Sequence, residues 1–549
     1  MKRYIAIFLT LCLILGSFTG CKDDAEEYNN QAIDEGIYAI YADLMANLLP
    51  EYELTEEEDP ELAEEETSGD AETAQASEDS AVSAAASESY IPDESILPAF
   101  RKYIHKWAAD NDIKASHDDS YNIIMSKAAV DEKKDADSTV LHCELSTQNA
   151  VEDLYTAATL MYIIQNADDN AFFRVVITAN DDGEHEGALS ISKKYLSGDH
   201  VISVAAGEKN RLCLASGGVE EYEMTAPLTR KEPTYQIAYE IAITGIKNEE
   251  NSSAKAPNPI KTLGNLLANC KSSGILFEMA SFEGGTDAYT YPEAAKVIVL
   301  INENNQNSFI KKFDNSSSKF LSKYQEKYPE LTYTLTEVAA PSQVLSFEDS
   351  DYIVSLVYTL MNGTYSQDDD EVMASSNLGR LTTENDGNFY ASITAKSTSL
   401  DTLSEMSDIF EITCHLCNGT YSIVDSKNPW AAASESKVNA ALASEYYNRI
   451  EKELKTYSTL DSTVCTALSE RKSDLDLARV EFNIEKPYQI VETIFELLGG
   501  QKYDVSTSDT SDTESSGTED TETSGTEAGG ASDAGEGAVS IIVDNYSAT

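Results

Sequence analysis

Glu144, Ser146, Glu152, Asp181 and Asp182 are the residues of this chain whose types and placement could do chemistry. They stand at or just beyond the ends of the apolar runs 139–145 and 172–178, and a third such run follows at 200–205. Two helix-like segments, 152–166 and 185–196, lie between the runs, so the stretch reads strand–helix–strand–helix–strand. That alternation predicts an α/β fold with a mostly parallel sheet and helices on its faces. In such sheets ligands and reacting groups gather beyond the carboxyl ends of the strands. The clustered acids could form an active site, or an oxygen-only site for calcium or magnesium, which need no imidazole. A solvated acidic rim is the plainer alternative. His185 follows the acidic turn and could add a metal ligand; a solvent-facing histidine at a helix start is its plainer reading. His142 lies inside a strand, where packing is expected. Cys414 and Cys417 form a lone C-x-x-C, read as buried thiols or an incidental disulfide in the absence of a second pair. The sequence has no Gly-rich phosphate loop and no Gly-x-Ser-x-Gly elbow.

The elements that must position these residues extend well beyond them. Apolar residues at helical spacing predict helices over 32–49 and 97–110, the latter presenting Phe100, Tyr103, Ile104 and Trp107 on one face. Strands are expected at 120–126 and at 211–224, with a turn at Gly217 and Gly218. From about 234 the pattern changes. Ile237, Tyr239, Ile241 and Ile243 alternate with more polar residues, as in a half-buried antiparallel strand. Helices at 259–269, 307–328, 350–361 and 400–416 then mix with strands at 274–282, 294–301, 332–338 and 420–424, and with a hairpin around Asp386 and Gly387. This is α+β order, hence a second domain over 230–424. Helices at 436–455 and 487–498, with a short apolar segment at 463–468, return to the first style.

The totals narrow the class. The chain has 549 residues, 96 acidic against 39 basic, for a formal charge of −57. So acidic a surface repels nucleic acid and anionic lipid, and nucleic acid is not an expected partner. Six histidines are few for a zinc enzyme of this length. Lys2 and Arg3 precede the apolar run 4–16, and small residues lead to Cys21, a pattern similar to a bacterial lipoprotein signal peptide. The expectation is a mature chain beginning at a lipidated Cys21 and held on the extracytoplasmic face of the cell membrane, with 22–31 as a tether. The other cysteines are expected as buried free thiols. The acidic stretch 51–92 and the Ser/Thr/Glu/Gly-rich tail 501–549 hold too little apolar surface to fold and are expected to be disordered.

In order and spacing, several segments resemble the aminoacyl-histidine (Xaa-His, cytosol non-specific) dipeptidase family of di-zinc metallopeptidases. They are YIHKWAADNDIKASHDDSYNIIM at 103–125, KYLSGDHVISVAAGEKNRLCLASGG at 194–218, EGGTDAYTYPEA at 283–294, Asn428-Pro429-Trp430, and the helix ending at 498. The resemblance implies a peptidase-like α/β domain over 32–50, 93–229 and 425–500, with a lid-like insertion between. It also implies two zinc ions that acidify a bridging water and polarise the scissile carbonyl, while a carboxylate takes the proton.

Residue by residue, the resemblance places Glu144 and Ser146 where the family has the histidine and aspartate of H-x-D. Glu152, or Asp153 one step on, falls at the bridging aspartate. Asp181 falls at the general base, Asp182 at the neighbouring ligand, and Ala205 at a further ligand. The lid motif with the oxyanion histidine aligns with 248–253, which contains no histidine, and the lid asparagine aligns with Tyr289. The last histidine ligand has no counterpart, because no histidine follows His415. The expectation is therefore a degenerate member: an anchored dipeptidase-like protein without zinc hydrolysis and with no cofactor, binding a peptide, another small ligand or a partner. The alternative is an active dipeptidase whose zinc site has been rearranged.

Overall fold

The computed structural model describes residues 22–50, 91–127, 139–168, 171–198, 200–247, 256–369, 371–385 and 387–499. The signal-like segment with Cys21, the acidic stretch 51–90, the lid-motif counterpart 248–253 and the tail lie outside the described residues. Among the described residues no helix is long and apolar enough to cross a membrane.

Two nine-stranded sheets divide the structure. The first holds β1 (Lys114–His117), β2 (Ile123–Ser126), β3 (Thr139–Leu145), β4 (Phe173–Ala179), β5 (His200–Gly207), β6 (Arg211–Ser216), β7 (Trp430–Ala431), β8 (Lys455–Thr459) and β9 (Asp476–Asn483). Their order is β1-β2-β4-β3-β5-β9-β6-β7, with β8 also on β6. The centre is parallel: β3 with β4, β3 with β5, and β5 with β9. The β1–β2, β2–β4, β9–β6 and β6–β7 pairs are antiparallel.

Both faces of this sheet are covered, which is why its central strands read as nearly continuous apolar runs. Leu141, Cys143, Val175, Ile177, Ile202, Val480 and Phe482 face one core, shared with α1 (Lys22–Leu48), α2 (Leu97–Asp110) and α3 (Ala150–Asn166). Val140, Val176, Val201, Cys213 and Leu477 face the other, under α4 (Glu186–Ser190).

The second sheet is antiparallel throughout. Its order is Thr332–Val338, Ile237–Thr244, Ala295–Ile301, Phe277–Gly285, Glu371–Asn385, Asn388–Ser397, Gly218–Pro227 and Thr420–Lys427, with Gly363–Asp368 beside Glu371–Asn385. It packs against α5 (Pro259–Ser272), α6 (Gln306–Tyr324), α7 (Phe347–Thr359) and α8 (Leu400–Leu416) over a core that includes Ile241, Leu263, Phe282, Val299, Phe309, Val357 and Phe410. The chain then returns to the first sheet through α9 (Lys437–Ile450), α10 (Val464–Arg471), which covers the same face as α4, and α11 (Tyr488–Leu497).

Several expectations shift. The segment 22–31 is not a tether but the first part of α1, and Asn29 donates to Glu492 at 3.0 Å. The helix expected over 185–196 breaks into α4 and a 3-10 turn, Lys193–Leu196. The helix expected to reach 455 stops at Ile450, where Glu451 turns left-handed at φ 55°. The passage between sheets comes at Gly217, earlier than 229. A Cβ on Gly217 would lie 2.1 Å from the Leu460 carbonyl, and one on Gly218 would lie 2.4 Å from the Pro429 nitrogen. Those glycines serve close backbone approach where strands of the two sheets part, so the 211–224 run is two strands in different sheets. Strand β9, at the centre of the first sheet, was not expected at all.

Candidate functional site

Register determines which side chains share a face. His142 on β3 pairs with Ser203 on β5, Ser203 with Arg479 on β9, and Arg479 with Cys213 on β6. One step toward the strand ends, Glu144 pairs with Thr178, and Ala205 with Glu481, which also pairs with Arg211. Side chains two residues apart on a strand share a face. These groups therefore lie on the α4 and α10 side, above Val140, Val201 and Leu477. One side of the sheet is apolar to its end, while the other becomes polar inside the protein.

Arg479 is the centre of that polar side. Its Nε is buried and has no hydrogen-bond partner among the described residues, while the residue as a whole is only half-buried. Burial opposes its charge. Cys465, Tyr457, Glu144 and Cys213 surround it and hold its pKa above the ordinary value. Glu144 is the one carboxylate among those four, and a guanidinium stays protonated in proteins.

Each neighbouring group is closed into a local arrangement. Glu144 accepts from His185 Nδ1 at 2.8 and 3.0 Å, and both side chains are about one-sixth exposed, at 16% and 15%. His185 therefore faces the strand ends and not solvent, from a left-handed position at the start of α4 (φ 57°). Arg211 Nε donates to Glu481 at 2.5 Å, Tyr457 also donates to Glu481, and the Arg211 guanidinium stacks 4.0 Å from the Tyr457 ring centre. His142 is fully buried between Thr178 Oγ1 at 2.9 Å and Ser203 Oγ at 3.3 Å. Burial first, then Arg479 and His185, push its pKa down to about 3, so it packs as a neutral imidazole.

The expected acids separate. Glu152 is exposed on the first turn of α3, and its neighbour Asp153 faces the strand end. Asp153 accepts from Ser146 through the backbone N–H at 2.9 Å and the hydroxyl at 2.8 Å. Asp181 accepts from the Thr147 N–H at 2.7 Å, the Thr147 hydroxyl at 2.6 Å and the Ser95 hydroxyl, so its carboxylate is already engaged. Asp182 is exposed and accepts from the Glu184 N–H at 2.7 Å. The neighbouring Glu186 carboxyl holds Asp182 below the usual carboxylate range, while burial raises Glu186. Ala205 offers no donor atom. Among the described residues no three His, Cys, Asp or Glu side chains converge as a metal-binding set.

Tyr289 lies between the strands Phe277–Gly285 and Ala295–Ile301 of the second sheet, and its hydroxyl donates to Asp425 at 3.3 Å. Lys427 of that sheet pairs with Glu184 in the loop beyond β4. Cys414 and Cys417 are free and buried, like the other four described cysteines.

No protein-family model matches the sequence, and no curated protein matches it. Among solved structures the fold recurs. Aminoacylhistidine dipeptidase from Vibrio alginolyticus superposes with a TM-score of 0.61 at 16% identity, over 74% of this chain and 93% of that one. An amidase of the hydantoinase/carbamoylase family from Burkholderia phymatum matches at a TM-score of 0.42 and 7% identity, over 73% and 90%. Aminopeptidase PepT from Bacillus cereus matches at 0.38 and 9%, over 72% and 92%. The first comparison shows a shared peptidase-like fold; the other two carry no argument.

The Asp153 environment predicts a pH effect. Burial raises its pKa from 3.8 to about 7; the bonds from Ser146 oppose the rise, and Glu144 and Glu152 add to it. A carboxyl whose folded pKa is raised favours the folded state fully below its unfolded pKa and loses that contribution as pH climbs through the folded value. Asp153→Asn keeps an oxygen for Ser146 and cannot ionise. Denaturant unfolding at about pH 5 and about pH 8 should show the wild type losing roughly 2 kcal/mol more than the variant across that interval. Parallel losses would remove the titration from Asp153. Asp34, also raised to about 7 by burial, is common to both proteins and cancels in the comparison.

Proposed function

We propose that this protein is an extracytoplasmic, membrane-anchored lipoprotein with a dipeptidase-like fold that binds a peptide or another small ligand without zinc-dependent hydrolysis. One observation carries the reading: the strand-end acids are each satisfied by the protein itself, beside a permanent guanidinium. Asp181 is held by Thr147 and Ser95, Asp153 by Ser146, Glu144 by His185, and Glu481 by Arg211. A two-zinc centre needs a bridging carboxylate and several further ligands that are free to turn inward. The residues present do not fit that need. Arg479 would also place a fixed positive charge beside Glu144.

Ligand binding is supported by the unmatched donor. The buried Nε of Arg479 has no acceptor among the described residues, and a buried unpaired donor costs about 1–3 kcal/mol unless an oxygen reaches it. A guanidinium suits a carboxylate or another planar oxyanion. Anchoring through lipid on Cys21 rests on the leader-like sequence alone.

Metal analysis of the purified full chain, with a panel of Xaa-His and other dipeptides, tests the proposal. The expected result is zinc well below one ion per chain and no turnover. Stoichiometric zinc with turnover abolished by Asp181→Ala and Asp182→Ala would overturn it in favour of an active dipeptidase with a rearranged site.

A further inference from the structure

The second sheet carries a feature that the strand-end reading does not use. Helices α5 and α6 and the segment around Gly363 enclose a groove of about 920 Å³. Its described lining includes four lysines, Lys261, Lys312, Lys319 and Lys323, and no acidic residue. This runs against the whole chain, where acids outnumber bases 96 to 39.

Lys312, Lys319 and Lys323 come from one face of α6, seven and four residues apart. At 1.5 Å of rise per residue their backbone positions span about 16 Å. Asn265 and Asn269, one turn apart on α5, line the opposite wall. Lys261 is part of the frame: its ammonium donates to the carbonyls of Val357, Tyr358 and Leu360 at the end of α7. The other three are not tied down in this way. Lys319 and Lys323 are exposed and Lys312 is half-buried. The nearby ion pairs, Lys271 with Asp351 and Lys247 with Glu330, use other lysines.

We propose that this groove binds a small polyanion of the phosphate type, with two or more oxyanion groups reaching Lys312, Lys319 and Lys323. An ammonium is a compact point charge that binds phosphate oxygens without a fixed approach direction. The asparagine amides add donors and acceptors for ester or hydroxyl oxygens. The volume falls within the roughly 300–1,000 Å³ of small-molecule sites.

The acidic remainder of the surface selects for a short ligand. Charges beyond about 8 Å are screened at physiological salt, so the lysines govern the groove itself. A long polyanion would run onto acidic surface and be repelled. A second copy of this chain is also disfavoured as occupant, because a twofold contact through this face would set lysines against lysines.

Calorimetric titration of the full-length chain with tripolyphosphate, and separately with citrate, in about 0.15 M salt tests the site. The expected result is saturable tripolyphosphate binding, tighter than citrate. Affinity should fall at least about tenfold in Lys312→Gln/Lys319→Gln/Lys323→Gln, with ligand-free melting unchanged. Lys319→Gln/Lys323→Gln, confined to exposed positions, gives the same readout should the triple variant fold poorly. No saturable heat from tripolyphosphate, or equal affinity in wild type and variant, would overturn the proposal. Citrate binding more tightly than tripolyphosphate would overturn its phosphate assignment. Zinc content and peptide turnover play no part in this test, so it stands or falls independently of the strand-end site.

Discussion

A half-buried guanidinium on the first sheet sets the terms for the groups around it. Arg479 sits on β9, between β5 and β6. Removing such a charge from water costs several kcal/mol unless charges and dipoles nearby compensate it. The α4 and α10 side of the sheet is built accordingly, with Glu144 within electrostatic reach, His142 held neutral, and thiols and a tyrosine as polarisable neighbours. The opposite face is apolar from mid-strand to the strand ends along β3, β4, β5 and β9, at Leu141, Ile177, Ile202 and Val480. That face supplies the hydrophobic burial that holds the sheet together and lets the other face carry charge.

From that centre the polar groups form closed pairs and not an open cluster. His185 takes Glu144, Arg211 and Tyr457 take Glu481, Ser146 takes Asp153, and Thr147 with Ser95 takes Asp181. Each pair lowers the cost of a buried carboxylate. The loop beyond β4 is also tied to the second sheet through Glu184 and Lys427, and Lys396 reaches Asp461 at 3.4 Å. The arrangement keeps the architecture of a peptidase-like fold and spends its acids on internal structure. The lysine groove on the second sheet shows the reverse: cations gathered in a chain that is otherwise acidic, with only Lys261 tied to backbone carbonyls.

Much of the fold was legible because the periodicities were clean. The run TVLHCEL gave β3 with its bounds, and Leu97–Asp110, Thr332–Val338 and Leu400–Leu416 were read with theirs. Strand β9 was not, because Asp476, Arg479 and Glu481 interrupt its apolar pattern; the signal was the alternation of Ala478, Val480 and Phe482 on the other face. The candidate site suffered from the same blind spot. Glu144, Asp181 and Asp182 could be singled out from their place after strands, and the choice between Glu152 and Asp153 needed the helix phase. Arg479 and Glu481 reach the site from far along the chain, through β9's register with β5 and β6. His185 was placed in solvent by its position after a turn, whereas its left-handed backbone aims the ring at Glu144.

The proposal of binding without zinc hydrolysis requires that internal pairs and Arg479 occupy the strand ends where metals would sit. Diffraction at the zinc absorption edge from crystals of the full chain soaked in zinc tests it most directly. The account predicts no anomalous peak within bonding distance of Glu144, Asp153, Asp181 or Glu481, with Arg479 still beside Glu144. A pair of zinc peaks bridged by one of those carboxylates, with Arg479 displaced, would contradict it.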